Sequence, residues 1–180
     1  MTEPAADRFW AFSLDVYGKP GVAPGLIDLQ DRLGLDVNLL LFCCWAGREG
    51  RRLSLTDLKA IEAATHLWQA EVVRPLRALR RRLKSGFADL PADAVSALRK
   101  RIGDAEIEGE RIAQVSMAPL LPAAEARDAD SAAALVAANL KTCFRYADRS
   151  IGIAEEAVLR TILQACCGGE GLERISFASA

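Results

Sequence analysis

Residues 53–84, LSLTDLKAIEAATHLWQAEVVRPLRALRRRLK, decide the fold. Ser54 supplies an N-cap oxygen, Asp57 stands at the reciprocal position of a capping box, and Leu53 with Leu58 can close a hydrophobic staple across the helix start. From there Leu58, Ile61, Thr65, Trp68, Val72, Leu76, Leu79 and Leu83 recur at steps of three and four, the period of an amphipathic helix running to about Lys84. Pro75 interrupts it. Lacking an N–H, it frees and crowds the Glu71 carbonyl, which predicts a bend costing about 3 kcal/mol unless packing relaxes the strain. One helix of this length in a chain of 180 residues points to an all-α protein. The remainder agrees: alanine and leucine dominate and strand-like alternation is scarce.

Downstream, Ser85-Gly86 ends the helix and Asp89-Leu90-Pro91 opens another, expected over Pro91 to Ala118 with Val95, Leu98, Ile102, Ala105, Gly109, Ile112 and Ser116 on its buried face. Gly103 and Gly109 within it predict close approach by a neighbouring helix, since glycine is otherwise about 1 kcal/mol worse than alanine there. Two long helices on a short connection predict an antiparallel hairpin. Pro119 and Pro122 break the chain. An alanine-rich linker then leads past Asp128 or Asp130 into a helix from about Ser131 to Ala147, burying Leu135, Leu140, Cys143, Phe144 and Tyr146, and a last helix runs from Ile153 to Cys166.

Upstream, Asp36 can cap a helix from Val37 to Ala46 whose Leu39-Leu40-Leu41-Phe42-Cys43-Cys44-Trp45 run is apolar all round, too short for a membrane and therefore the expected centre of the core. A short helix is expected from Pro24 to Leu33. Asp7 is read as the cap of a first helix, Arg8 to Tyr17, whose apolar residues cover most of its circumference and place it between neighbours. The expectation is one all-α domain over residues 1–168, a bundle of about six helices with a central apolar helix and a long antiparallel hairpin. Residues 169–180 are expected to form a flexible tail.

Hydrophobic content of 51% against 26% charge belongs to a chain that folds. A net charge of -1 leaves no global field for nucleic acid or an anionic membrane, so any electrostatic function must be local. The acidic, polar start lacks the regions of a signal peptide, no apolar run is long enough to span a bilayer, and the protein is read as cytoplasmic with reduced thiols. Five cysteines in adjacent pairs and a lone His66 do not assemble a zinc site, so no metal and no cofactor is assigned. The buried small hydrophobe is the expected role for these thiols.

Local charge concentrates in Arg74, Arg77, Arg80, Arg81, Arg82 and Lys84. On a helical wheel Arg74, Arg77 and Arg81 lie roughly opposite the leucine stripe, with Arg80 on its flank. Glu106 and Glu110, four residues apart on the following helix, are the expected answer: an antiparallel hairpin would bring them to the arginines, and bidentate pairing would fix register. The alternative is an anion site for phosphate or RNA, which the absence of stacking aromatics in this segment argues against. No nucleophile elbow, P-loop, dinucleotide fingerprint or zinc-protease motif is present, so no catalytic residue is assigned. Asn38, Trp45 and Trp68 are the residues expected to line a pocket if the protein holds a small ligand.

The opening Phe9-Trp10-x-Phe12-Ser13-Leu14-x-Val16-Tyr17 and the core Val37-Asn38-Leu39-Leu40-Leu41-Phe42-Cys43-x-Trp45 are joined by Val73-x-Pro75-Leu76-Arg77-x-Leu79-Arg80 and Glu106-x-x-x-Glu110-Arg111. Together these segments resemble a family of short bacterial proteins catalogued only as a domain of unknown function. The resemblance runs from about Arg8 to Glu110 and more weakly beyond. It implies a free-standing bacterial helical protein and supplies no catalytic residues. With long amphipathic helices and no catalytic motif, the leading expectation is a non-enzymatic protein working through protein contacts, with itself as a homodimer or with another protein. An anion- or RNA-binding module using residues 74–84 is the alternative, and an enzyme or small-ligand carrier comes third.

Overall fold

The computed structural model describes residues 4–123, 131–168, 172 and 175–177. It is all-α. The order is α1 (Ala5–Tyr17), α2 (Val22–Leu33), α3 (Val37–Arg48), α4 (Leu55–Trp68), a π-helical turn (Gln69–Val73), α5 (Arg74–Lys84), α6 (Ala92–Met117), α7 (Ala132–Tyr146) and α8 (Ile153–Cys167). Because α4, the π turn and α5 run on as one rod, the described residues hold seven long helical pieces where about six were expected. Asp7 lies in the first turn of α1 and does not cap it; the helix begins earlier, after Pro4. The tail reading of 169–180 and the Asp128 or Asp130 lead-in fall mostly outside the described residues, although Phe177 is buried in the core with Leu172 and Ile175 packed against it.

α3 is the axis, as its composition requires. Asp36 accepts from the Asn38 and Leu39 amides, and the residues from Asn38 to Gly47 are all buried. Phe9 stacks on Trp45 with ring centres 4.9 Å apart, and Phe42 meets both rings edge-on, which locks α1 to α3. α7 packs most extensively against α3. It comes so close at Gly47 that a Cβ there would lie 2.5 Å from the Val136 backbone nitrogen. Gly47 therefore belongs inside the helix as a crossing point, past the Ala46 end expected from sequence. Fully buried Asn139 on α7 ties the α3–α4 loop down: its Oδ1 accepts from the Leu53 amide at 2.8 Å and its Nδ2 donates to the carbonyls of Cys43 and Arg51. The cysteines are free thiols, four of them buried, and burial holds the Cys43 thiol well above its ordinary value.

The rod and α6 form the antiparallel hairpin. Its N-terminal signal is real: Ser54 Oγ accepts from the Asp57 amide and Asp57 returns the bond to the Ser54 amide at 2.8 Å. Beyond Thr65 the expected stripe shifts: Gln69 and Val73 are buried in place of Trp68 and Val72 and Leu79 is exposed, although Leu83 at the far end is buried as expected. The cause is the π turn, closed by the Arg74 amide on the Gln69 carbonyl. Its i to i−5 bond closes just ahead of Pro75, which has no N–H to give, and its extra residue sets the following residues back by about 100°. Arg77 and Arg80 are thereby turned toward α6. Gly103 and Gly109 give α6 its close approach, as expected: an added Cβ would meet the Arg80 side chain at the first and Val73 at the second, each at 3.2 Å.

On α6 the buried residues are Glu106, Gly109, Ala113, Gln114 and Met117, whereas Leu98, Ala105, Ile112 and Ser116 are exposed. Of the expected face only Gly109 is fully buried, and the helix turns a largely polar stripe inward. α1 corrects the sequence reading in a similar way. Phe9, Ser13 and Val16 face the core, but Leu14 and Tyr17 are exposed. No helix among the described residues is long and apolar enough to cross a membrane.

Candidate functional site

The polar stripe of α6 does not meet an apolar neighbour. Glu106 accepts from Arg77 Nε at 3.0 Å and from both Nε and Nη2 of Arg80. Glu110 accepts from Arg77 Nη2, from Gln69 Nε2 at 2.9 Å and from Asn38 Nδ2 at 2.6 Å. Asn38 Oδ1 in turn accepts from Gln114 Nε2 at 2.9 Å, and Gln114 Oε1 takes the Ser13 hydroxyl at 3.0 Å. One network thus joins α1, α3, the π turn, α5 and α6. Asn38 and Gln114 are each used on both the donor and the acceptor side, which fixes their orientation.

Burial works against ionisation of Glu106, yet the hydrogen bonds and charges of Arg80 and Arg77 outweigh it and hold the carboxyl below the usual glutamate range. Its bond raises Arg80 correspondingly. Burial pushes Glu110 the other way, above that range, with Gln69 and Arg77 opposing and the charge of half-buried Asp36 adding to the rise. The three side chains hydrogen-bonded to Glu110, those of Asn38, Gln69 and Arg77, all donate, which suits the carboxylate. The pairing is worth more than a solvated one because only 8% of the Glu106 side chain is exposed.

This network is the floor of an open cleft of about 600 Å³ between α1, α2, α3, α5 and α6, a size ordinary for small-molecule sites. Its apolar wall comes from Trp10, Leu14 and Tyr17 of α1, Ile27 of α2 and Ile107 of α6. Here lies the reason that α1 is apolar on nearly every side: Phe9, Ser13 and Val16 serve the core, while Trp10, Leu14 and Tyr17, one helical face at i, i+4 and i+7, serve the cleft. Arg81, Arg99 and Lys100 add cations. Tyr17 keeps its proton in the neutral range, its phenol raised by burial.

Of the residues singled out from sequence, Arg77, Arg80, Glu106 and Glu110 come together. Arg81 pairs instead with Asp31 of α2 at 2.9 Å on the surface, and Arg74 is exposed. Asn38, Trp45 and Trp68 do not share a pocket. Asn38 lines the cleft, Trp45 is inside the aromatic core, and Trp68 donates its indole N–H to the Gly109 carbonyl at 2.8 Å. Trp10 is the tryptophan of the cleft. It and the run Arg99, Gly103, Glu106, Glu110, Gln114, spaced by four and three, were the sequence signals for the site.

Residues 8–117 match the family model described as a protein of unknown function, DUF2390. The chain belongs to this family. The match agrees with the resemblance carried by the α1, α3, α5 and α6 segments, and every residue lining the cleft, from Trp10 to Gln114, falls inside the matched span. No curated protein matches, and no solved structure does.

Proposed function

We propose that this member of the DUF2390 family is a binding module that holds a small amphipathic molecule in the cleft. The observation that carries the reading is the wall: Leu14, Tyr17, Ile27 and Ile107 are large apolar side chains, each well exposed, and all four face one concavity above a rigid polar floor. Leaving such area in water forgoes about 25 cal/mol per Å², and an apolar pocket with a few convergent polar groups is the common form of a ligand site. The arginine helix offers RNA or free phosphate less charge than its sequence suggests, since Arg77 and Arg80 are neutralised by Glu106 and Glu110.

Titration with the neutral dye Nile red tests this reading. Saturable binding is expected, weakened about tenfold or more in the double variant Leu14→Gln, Ile107→Gln with its melting temperature unchanged. Absence of binding, or equal binding by the variant, refutes it.

A second reading keeps protein contacts, and the observation favouring it is the outward face of α6. There Leu98, Ile112 and Val115 stand in water, a face suited to a second copy of the chain or a partner helix. Sedimentation showing only monomer at all concentrations, with no protein retained on the immobilised chain, removes it.

A further inference from the structure

Among the described residues, one buried side-chain nitrogen or oxygen lacks a hydrogen-bond partner: Nε of Arg99. A guanidinium N–H shut away without an acceptor is costly, and native proteins rarely carry one without a use for it. Arg99 lines the cleft, one turn of α6 before Gly103, on the stripe that continues through Glu106 and Glu110.

The other cations of the cleft are answered. Arg77 and Arg80 share Glu106 and Glu110, Arg81 has Asp31, and exposed Lys100 has Asp104 at 3.8 Å. Five cations therefore face four carboxylates, and the remaining positive charge belongs to Arg99. One unmatched charge suits a monoanion; a dianion would bring a second negative charge beside Glu106 and Glu110 with nothing to balance it. The planar fork of arginine, offering Nε and one terminal nitrogen side by side, matches the two oxygens of a carboxylate.

Resting on the cleft being a ligand site, we infer that its ligand is an amphipathic monocarboxylate whose carboxylate seats on Arg99 and whose apolar body lies along Trp10, Leu14 and Ile107. Seating the anion turns the Arg99 side chain into the cleft and gives Nε the acceptor that it lacks in its buried position. The apolar wall supplies affinity without selecting the head group.

Calorimetric titration of the full chain with dodecanoate, dodecanol and dodecyl phosphate at pH 8, where the phosphate is a dianion, tests the assignment. Dodecanoate is expected to bind tightest. Arg99→Gln, checked for an unchanged circular dichroism spectrum, is expected to weaken dodecanoate about tenfold or more while leaving dodecanol unchanged, the loss of a charge-assisted pair. Leu14→Gln weakens all three. Equal binding of dodecanoate by wild type and Arg99→Gln overturns the carboxylate assignment, as does tighter binding of dodecyl phosphate. If dodecanol still binds and depends on Leu14 in those cases, the cleft reading survives. If none of the three binds, both fall.

Discussion

Glu106→Gln isolates the interaction on which the hairpin geometry depends. Glutamine keeps the shape and one acceptor but removes the charge and presents an amide N–H to a guanidinium. A solvated ion pair is worth about 0–1 kcal/mol, and stranding a fully buried charge costs about 3–5 kcal/mol. Side-chain exposures of 8% for Glu106, 20% for Arg77 and 33% for Arg80 place this network between those limits. Arg80 can turn toward water and Arg77 retains Glu110, so about 2–3 kcal/mol is expected. For a chain of this length that lowers the melting temperature by about 5–10 °C. Urea unfolding of wild type, Glu106→Gln and the control Asp31→Asn measures it. The control breaks the Arg81 pair, whose side chains are about half exposed, and is expected to change stability by about 0–1 kcal/mol. Adding Arg80→Gln completes a cycle with an expected coupling of about 1 kcal/mol or more. If Glu106→Gln is no more damaging than Asp31→Asn, the network is a solvated surface and the compensation argument fails.

The same carboxylates predict opposite pH slopes. Glu106 titrates below the ordinary 4.5, so its contribution is complete above that value and is lost as pH falls through its lower folded value. Glu110 titrates above 4.5, so the stability it adds on the acid side fades as pH rises through its folded value. Urea midpoints from about pH 3 to 7 are expected to lose the acid decline in Glu106→Gln and the opposing slope in Glu110→Gln; unchanged profiles contradict both directions. Asn139→Ala leaves the Leu53 amide and the Arg51 carbonyl without their partner, an expected loss of about 2–4 kcal/mol in urea unfolding. Gly47→Ala forces a methyl against the Val136 backbone, and a loss of about 3 kcal/mol or more is expected in its thermal melt. A melt like that of wild type would show that α7 can move away.

The helical class, the central role of α3 and the pairing of Arg77 and Arg80 with Glu106 and Glu110 were legible because each rests on a local signal: periodicity, an apolar run, a cap, or opposite charges on adjacent long helices. The faces were not. Leu98 and Ile112 look like the interior of α6, yet they are exposed, because the tally of apolar residues ignores which neighbour each side meets. Pro75 was legible as a break but not as a π turn, whose extra residue swings Arg77 and Arg80 inward.

The sequence alone placed the helices to within a few residues and showed that their cations would need an answer, since caps, prolines and charge balance act within a few residues along the chain. Packing in three dimensions gave α1 one apolar face on a cleft, put Trp45 in the core and Trp10 on the cleft wall, and left Arg99 with an unmatched charge. Burial and electrostatic compensation depend on which surfaces meet across space, and a periodic pattern carries that information for one helix at a time.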